Sequence, residues 1–253
     1  MTRGTALLVA LALVALVAPF AAPYAPDAID LASRRAAPSL AHWFGTDDLG
    51  RDVLSRALFG GRVSIAIGLL SALVAVVVGV AFGAVAGYLG GWVDAVLMRV
   101  TDAVLSIPRL LLLMVAAATL QPSVPALVLL VGAVGWMETA RVTRASVRTL
   151  AGSDYVTAAL ALGAGHVRIV WRHVLANAAG AIRTAAVLAV GRAILVESAL
   201  SFFGVGVQPP DATWGSMLYQ AQSAMSTEPW LALVPGACIV LTVGGLTWVA
   251  DRP

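Results

Sequence analysis

The chain has 253 residues, 60% of them hydrophobic and 11% charged, with a formal net charge of +3. A soluble domain carries roughly a quarter charged residues, and here the mean hydropathy is +0.92 with apolar blocks long enough to cross a bilayer, so a soluble fold is excluded. Every basic residue is arginine, which rules out a Walker-type phosphate loop, whose lysine reaches the terminal phosphates; any ATP chemistry belongs to another chain.

Charge-free blocks predict an all-α, polytopic membrane protein with about six transmembrane helices. The first covers residues 5–22 and stops among Pro19, Pro23 and Pro26, which cannot continue a helix. With Arg3 before it, this stretch has the form of a secretory signal, but the spans that follow favour an uncleaved anchor. The second span is predicted at 63–87, the third at 100–120 around Asp102, Pro108 and Arg109, and the fourth at 123–140 after a "QPSVP" turn. The fifth, 175–200, carries Arg183, Arg192 and Glu197; the sixth is 229–249. Residues 1–60 thus form a first helix with an extracytoplasmic segment, and 61–253 a five-helix core carrying a cytoplasmic segment at about 150–174.

Arginine placement sets the orientation. With the N-terminus inside, the inner segments hold Arg3, Arg99, Arg141, Arg144, Arg148, Arg168, Arg172 and Arg252, and the outer ones Arg34, Arg35, Arg51, Arg56 and Arg62. Both termini are expected in the cytoplasm. The basic charge lies at span ends and reads as topology, so the pI near 9.6 points to a lipid bilayer and not to nucleic acid. Gly79, Gly83 and Gly87 repeat a GxxxG spacing that lets helix backbones approach closely. Cys238 stands alone, so no internal disulfide forms.

The stretch "DYVTAALALGAGHVRIVWRHVLANA" (154–178) interrupts the apolar pattern. Ser153 or Asp154 is placed to cap a helix that runs to Leu162 and stops at Gly163. Tyr155, Ala158, Ala159 and Leu162 share one face, and Val167, Val170, Trp171 and Val174 repeat that spacing after the Gly163-Ala164-Gly165 break. A helix, hinge and helix at the inner surface suits docking into a partner's groove, a lipid-surface helix or a plain connector. Charges inside spans face a bundle interior or a water-filled cavity, which makes Arg109, Arg192 and Glu197 candidates for a translocation pathway; Glu138 and Arg141, three apart, are expected to pair. His166 and His173 lack a third ligand for a metal. No nucleophile–base–orienter set is present, so the chain is not expected to be an enzyme, and no cofactor is expected in it.

At these residues the sequence resembles the inner-membrane permeases of binding-protein-dependent ABC importers. Their cytoplasmic signature is EAA, three residues, Gly, nine residues, Ile, one residue, Leu-Pro. Ala158, Ala159, Gly163 and Leu175 match it in spacing, while Thr157, His173 and Ala176 depart from it. "GTDDLGRDVLSRALFGGRVSIAIG" (45–68), "GYLGGWVDAVLMRVTDAVLSIPRLLL" (87–112) and "ESALSFFGVGVQPPDATWGSML" (197–218) resemble the C-type subunits of dipeptide, oligopeptide and nickel systems. Glu197 fits that pattern, and Arg192 stands where a small residue is usual.

The resemblance implies a type I ABC importer permease fold in a bacterial or archaeal plasma (inner) membrane. It implies a homologous second permease subunit, two cytoplasmic ATPase subunits that use ATP, and an extracytoplasmic substrate-binding protein. Tyr155, Thr157, Ala158, Ala159, Leu162 and Gly163 would then form the coupling surface for an ATPase. The loop 204–218 would face the binding protein or the outer mouth, and "VADRP" is shorter than the family's usual tail. A secondary transporter or channel is the alternative, and it would need coupling ions or a filter within its own spans.

Overall fold

Asp52 starts the longest helix. Its carboxylate accepts hydrogen bonds from the Ser55 N–H and hydroxyl, both at 2.8 Å, and caps α1, Val53–Leu89. The computed structural model describes residues 17–121 and 123–251. α1 has 37 residues, about 55 Å at 1.5 Å per residue, against a hydrocarbon core of about 30 Å. It therefore begins ten residues before the predicted span. Ser55 and Arg56 are buried against protein, a cover that hydropathy does not register.

Two of the predicted spans are broken. α2 (Gly91–Leu105) and α3 (Arg109–Leu120) meet at 73° across Ser106-Ile107-Pro108. Proline lacks the N–H that would continue the ladder and pushes the preceding residue out of the helical region. α4 (Val124–Ala133) and α5 (Trp136–Ala151) meet at 40° across Val134-Gly135. A short helix, α6 (Asp154–Ala161), precedes α7 (His166–Phe202). α8 (Trp214–Ala221) and α9 (Trp230–Ala250) complete the order.

α1, α7 and α9 are each long and apolar enough to cross a membrane. Taking each bent pair as one span gives five such spans among the described residues. Of the first predicted span, residues 17–21 are helical and residues 5–16 lie outside the described residues.

α1 runs through the middle of the bundle, and its glycines set how closely α5 approaches. A Cβ on Gly79 would come within 2.6 Å of the Trp136 carbonyl oxygen, and one on Gly87 within 2.7 Å of that of Arg144. Gly83 faces the Ala140 carbonyl in the same way. The predicted GxxxG packing is therefore present as three steps of backbone contact, each four residues apart on both helices. Ile67, Leu113, Leu127, Val131 and Leu200 close the core where α1, α3, α4 and α7 meet.

The two ends of the bundle differ. At one, α6 and the start of α7 cap the C-terminal ends of α1 and α5. At the other, the segment 24–52 folds over the start of α1. There the Asp47 carboxylate accepts from the Arg51 Nε (2.7 Å) and from the Leu49 and Arg51 N–H groups. Arg56, 2% exposed, reaches Asp47 at 3.5 Å, and Arg51 and Arg56 each donate to the Gln220 Oε1 at 3.3 Å. "GTDDLGRD" is thus a polar clasp joining the segment, α1 and α8. The loop predicted at 204–218 ends in a helix: Thr213 and Ser216 form a reciprocal capping box for α8, and the buried Trp214 indole donates to the Ala57 carbonyl at 3.0 Å.

Candidate functional site

α6 is closed at its C-terminus by a complete Schellman motif. The Ala164 N–H donates to the Ala159 carbonyl (3.0 Å) and the Gly163 N–H to that of Leu160 (2.9 Å). Gly163, at φ +82°, supplies the left-handed residue that this ending requires. At the N-terminus, Ser153 has the extended conformation of a cap but makes no capping bond; its hydroxyl donates to the Leu150 carbonyl instead. Val156 is fully buried in a cluster with Ala84 of α1, Val147 of α5, and Ile169 and Val174 of α7. Ala159 packs against that cluster. Tyr155, Thr157, Ala158 and Leu162 are exposed, Leu162 at 89%. The six predicted coupling residues therefore divide: Ala159 faces the chain's own core, and the others, with Gly163, face outward.

The second predicted face is corrected. Val167 and Trp171 are exposed (74% and 70%), and the buried residues are Ile169 and Val174. Residues five apart diverge by about 140° on an α-helix, but Val170–Leu175 forms a π-helical turn, which returns them to one side. Leu162, Val167 and Trp171 are thus exposed apolar residues at the same end of the molecule, with Arg168 and Arg172 among them. The Tyr88 hydroxyl and His166 Nδ1 share a hydrogen bond of 2.7 Å, linking the end of α1 to the start of α7.

The charges in the spans pair across helices. Arg144 of α5 grips Asp94 of α2 with two nitrogens, Arg148 stands 3.5 Å from the same carboxylate, and Arg141 meets Asp102 at 2.5 Å. Glu138 does not pair with Arg141; it stands 2.7 Å from the Arg192 Nε of α7. Arg109 lines one small cavity with Glu138, at the two helix breaks. Glu197 lies elsewhere and is fully buried. Its carboxylate accepts from the hydroxyls of Ser201 (2.8 Å), Ser64 (3.3 Å) and Ser198 (3.5 Å). Ser64 in turn accepts from the Trp214 N–H at 3.1 Å, so Glu197 ties α7 to α1 and α8. The structure brings Arg109 and Arg192 together around Glu138 and leaves Glu197 out.

Residues 79–252 match the family described as binding-protein-dependent transport system inner membrane component. The chain belongs to that family. It is 35% identical over 248 residues to the oligopeptide transport system permease protein OppC of Bacillus subtilis, covering 98% of this chain and 81% of that protein. It is 37% identical over 252 residues to a probable D,D-dipeptide transport system permease protein, DdpC, of Escherichia coli, covering 99% and 85%. The dipeptide transport system permease protein DppC of Bacillus subtilis is 34% identical over 249 residues, covering 98% and 78%. It is therefore an inner-membrane component of a binding-protein-dependent transport system, a transport subunit and not an enzyme.

Three of this permease's site features escaped sequence reasoning, and two had a usable signal. Asp94 and Asp102, eight apart on one side of α2, match the arginines at 141, 144 and 148. Arg109 has no acid on its own helix, and Glu197, five residues from Arg192, is turned about 140° away from it, so a partner from another span was required. The π-helical turn has no such signal in the sequence.

Proposed function

We propose that this chain forms half of the translocation pathway of an ATP-driven peptide importer, with both termini in the cytoplasm and α6 as the element driven by an ATPase subunit. The observation that carries the reading is the construction of the α6 end. A helix of 8 residues is closed by a Schellman turn and anchored through Val156 to three long helices at once, and its cap Leu162 stands exposed beside Val167 and Trp171 at the start of α7. A push on α6 reaches α1, α5 and α7 together. The exposed apolar patch suits a groove in a partner, and Arg168 and Arg172 suit its rim.

Two ATPases and a homologous second permease complete the proposed assembly, and a binding protein meets the face built from residues 24–52 and α8. ATP hydrolysis is assigned to the ATPases, since this chain has no lysine for a phosphate loop. Nucleotide-driven closure of the ATPases draws the two α6 helices together and opens the pathway to the binding protein; hydrolysis resets it. The relatives' names support peptides over nickel as cargo. A departure from the family signature, Thr157 in place of Glu, leaves this docking to shape and apolar contact.

The test is reconstitution in liposomes. The complete assembly should take up a labelled tripeptide only with ATP and binding protein present. Gradient-driven uptake by this permease alone would establish the secondary-transporter alternative instead.

A further inference from the structure

Both broken spans break at the same place. The cavity between them, about 150 Å³, is lined by Ile107, Pro108 and Arg109 from the first break and Gly135, Met137 and Glu138 from the second. Gly135 packs on Ala75 of α1, which lies twelve residues inside the charge-free run Val63–Val93, roughly 18 Å along the helix and so near mid-bilayer. At that depth water is scarce and every charge must be matched.

The charges here are not matched within the chain. Two guanidiniums, Arg109 and Arg192, face one carboxylate, Glu138, which leaves a surplus of one positive charge. The Arg192 Nε stands 2.7 Å from Glu138 Oε2, yet its N–H is not directed at that oxygen, which receives no hydrogen bond among the described residues. The pair is a close ion contact without an aligned hydrogen bond. Arg109 shares the cavity with Glu138, and its Nη2 would lie 3.3 Å from a Cβ on Gly135. Its Nε is buried and has no partner among the described residues.

Helix ends add to this. α3 and α5 both begin at the cavity, and their caps, Pro108 and Gly135, give no side-chain hydrogen bond to the first turn. Half-helices that start inside a membrane present free N–H groups and the positive ends of their dipoles, which favours an anionic group there. A planar guanidinium fork with a free Nε matches a carboxylate in particular. The cavity holds about five waters by volume, enough for a carboxylate and the carbon that bears it.

The geometry points to a carboxylate-binding site: the cavity between the two helix breaks takes the C-terminal carboxylate of the passing peptide on Arg109, with Arg192 and Glu138 setting the net charge that draws it. This rests on the proposed function, since a peptide must pass for its end to be held. It adds a selectivity that does not depend on the binding protein: the permease reads the free C-terminus.

The test uses the whole complex in liposomes, supplied through its binding protein with a labelled tripeptide whose C-terminal residue carries a photoactivatable diazirine. Irradiation during turnover should give adducts on Leu105–Arg109 or Val134–Glu138 by mass spectrometry. Arg109→Gln should lower their yield about tenfold, and Arg109→Lys, which keeps charge but not the fork, by less. Arg109→Lys also serves as the probe if the Gln variant does not assemble. Adducts confined to other residues, or adducts at these segments whose yield neither substitution changes, would overturn the site while leaving the importer reading intact. Absence of ATP-dependent uptake by the unaltered complex would overturn the importer reading and this site with it.

Discussion

At the scale of single residues, burial separates charges that build the subunit from charges that face its cavities. Glu197 is fully buried and accepts from three hydroxyls, so removing it strands those donors. Each buried unsatisfied group costs about 1–3 kcal/mol. Glu197→Ala should lower the unfolding temperature of the purified permease in detergent, with Glu197→Gln milder because one acceptor oxygen remains. Normal stability of Glu197→Ala combined with loss of uptake would return this residue to the pathway, where its place inside a span first put it. Gly83 is the complementary case. A side chain there runs into the Ala140 carbonyl, and overpacking of this kind costs about 1–3 kcal/mol. Gly83→Val should destabilise the subunit, while Gly180→Val, where a Cβ meets nothing within 4 Å, should leave packing unchanged.

At the scale of elements, the proposed coupling rests on α6. α6 has an inward residue, Val156, and an outward one, Leu162, and the two should fail differently. Leu162→Asp places a charge in the docking surface and should abolish co-purification with the ATPases at unchanged thermal stability, because the side chain is 89% exposed in the free subunit. Val156→Ala opens a cavity in the cluster and should cost about 2 kcal/mol while the ATPases still bind. Retained co-purification of Leu162→Asp would argue against this face. The π-helical turn Val170–Leu175 supplies another prediction. Inserting one alanine after Arg172 adds a residue beyond the one the turn already absorbs and should rotate everything before it by about 100°. ATP hydrolysis should persist in that variant while peptide uptake stops, and uptake at the normal rate would show that the turn has no part in transmission.

For the molecule as a whole, the orientation is open to direct labelling. In a Cys238→Ala background, Leu40→Cys, at a site 97% exposed, should react with a membrane-impermeant maleimide on intact cells. Leu162→Cys should react only in inverted vesicles, and labelling of both from one side would overturn the topology. The architecture was readable from sequence where a single physical rule dominates. Charge-free length marked the spans, the four-residue glycine repeat marked close packing, and Gly163 marked the end of α6. Reading failed where protein covers what lipid was assumed to touch. α1 starts early because Arg56 is buried in a clasp that hydropathy counts as loop, and Trp214 opens a helix within 204–218, a stretch that reads as loop. Cross-span pairs such as Glu138 with Arg192 depend on which helices become neighbours, and local sequence does not encode that.

The glycine ladder between α1 and α5 limits how this permease can move. Gly79, Gly83 and Gly87 sit against the carbonyls of Trp136, Ala140 and Arg144 like teeth in a rack. A slide of one or two ångströms along the axis would drive backbone into backbone. A slide of four residues, about 6 Å, would seat two of the three teeth again. The pair therefore has a resting notch and, one tooth away, a second notch with nothing stable between them. Gradual shear is closed to this pair, and the stroke proposed to arrive through α6 has to be taken up by the two bends or by a whole tooth.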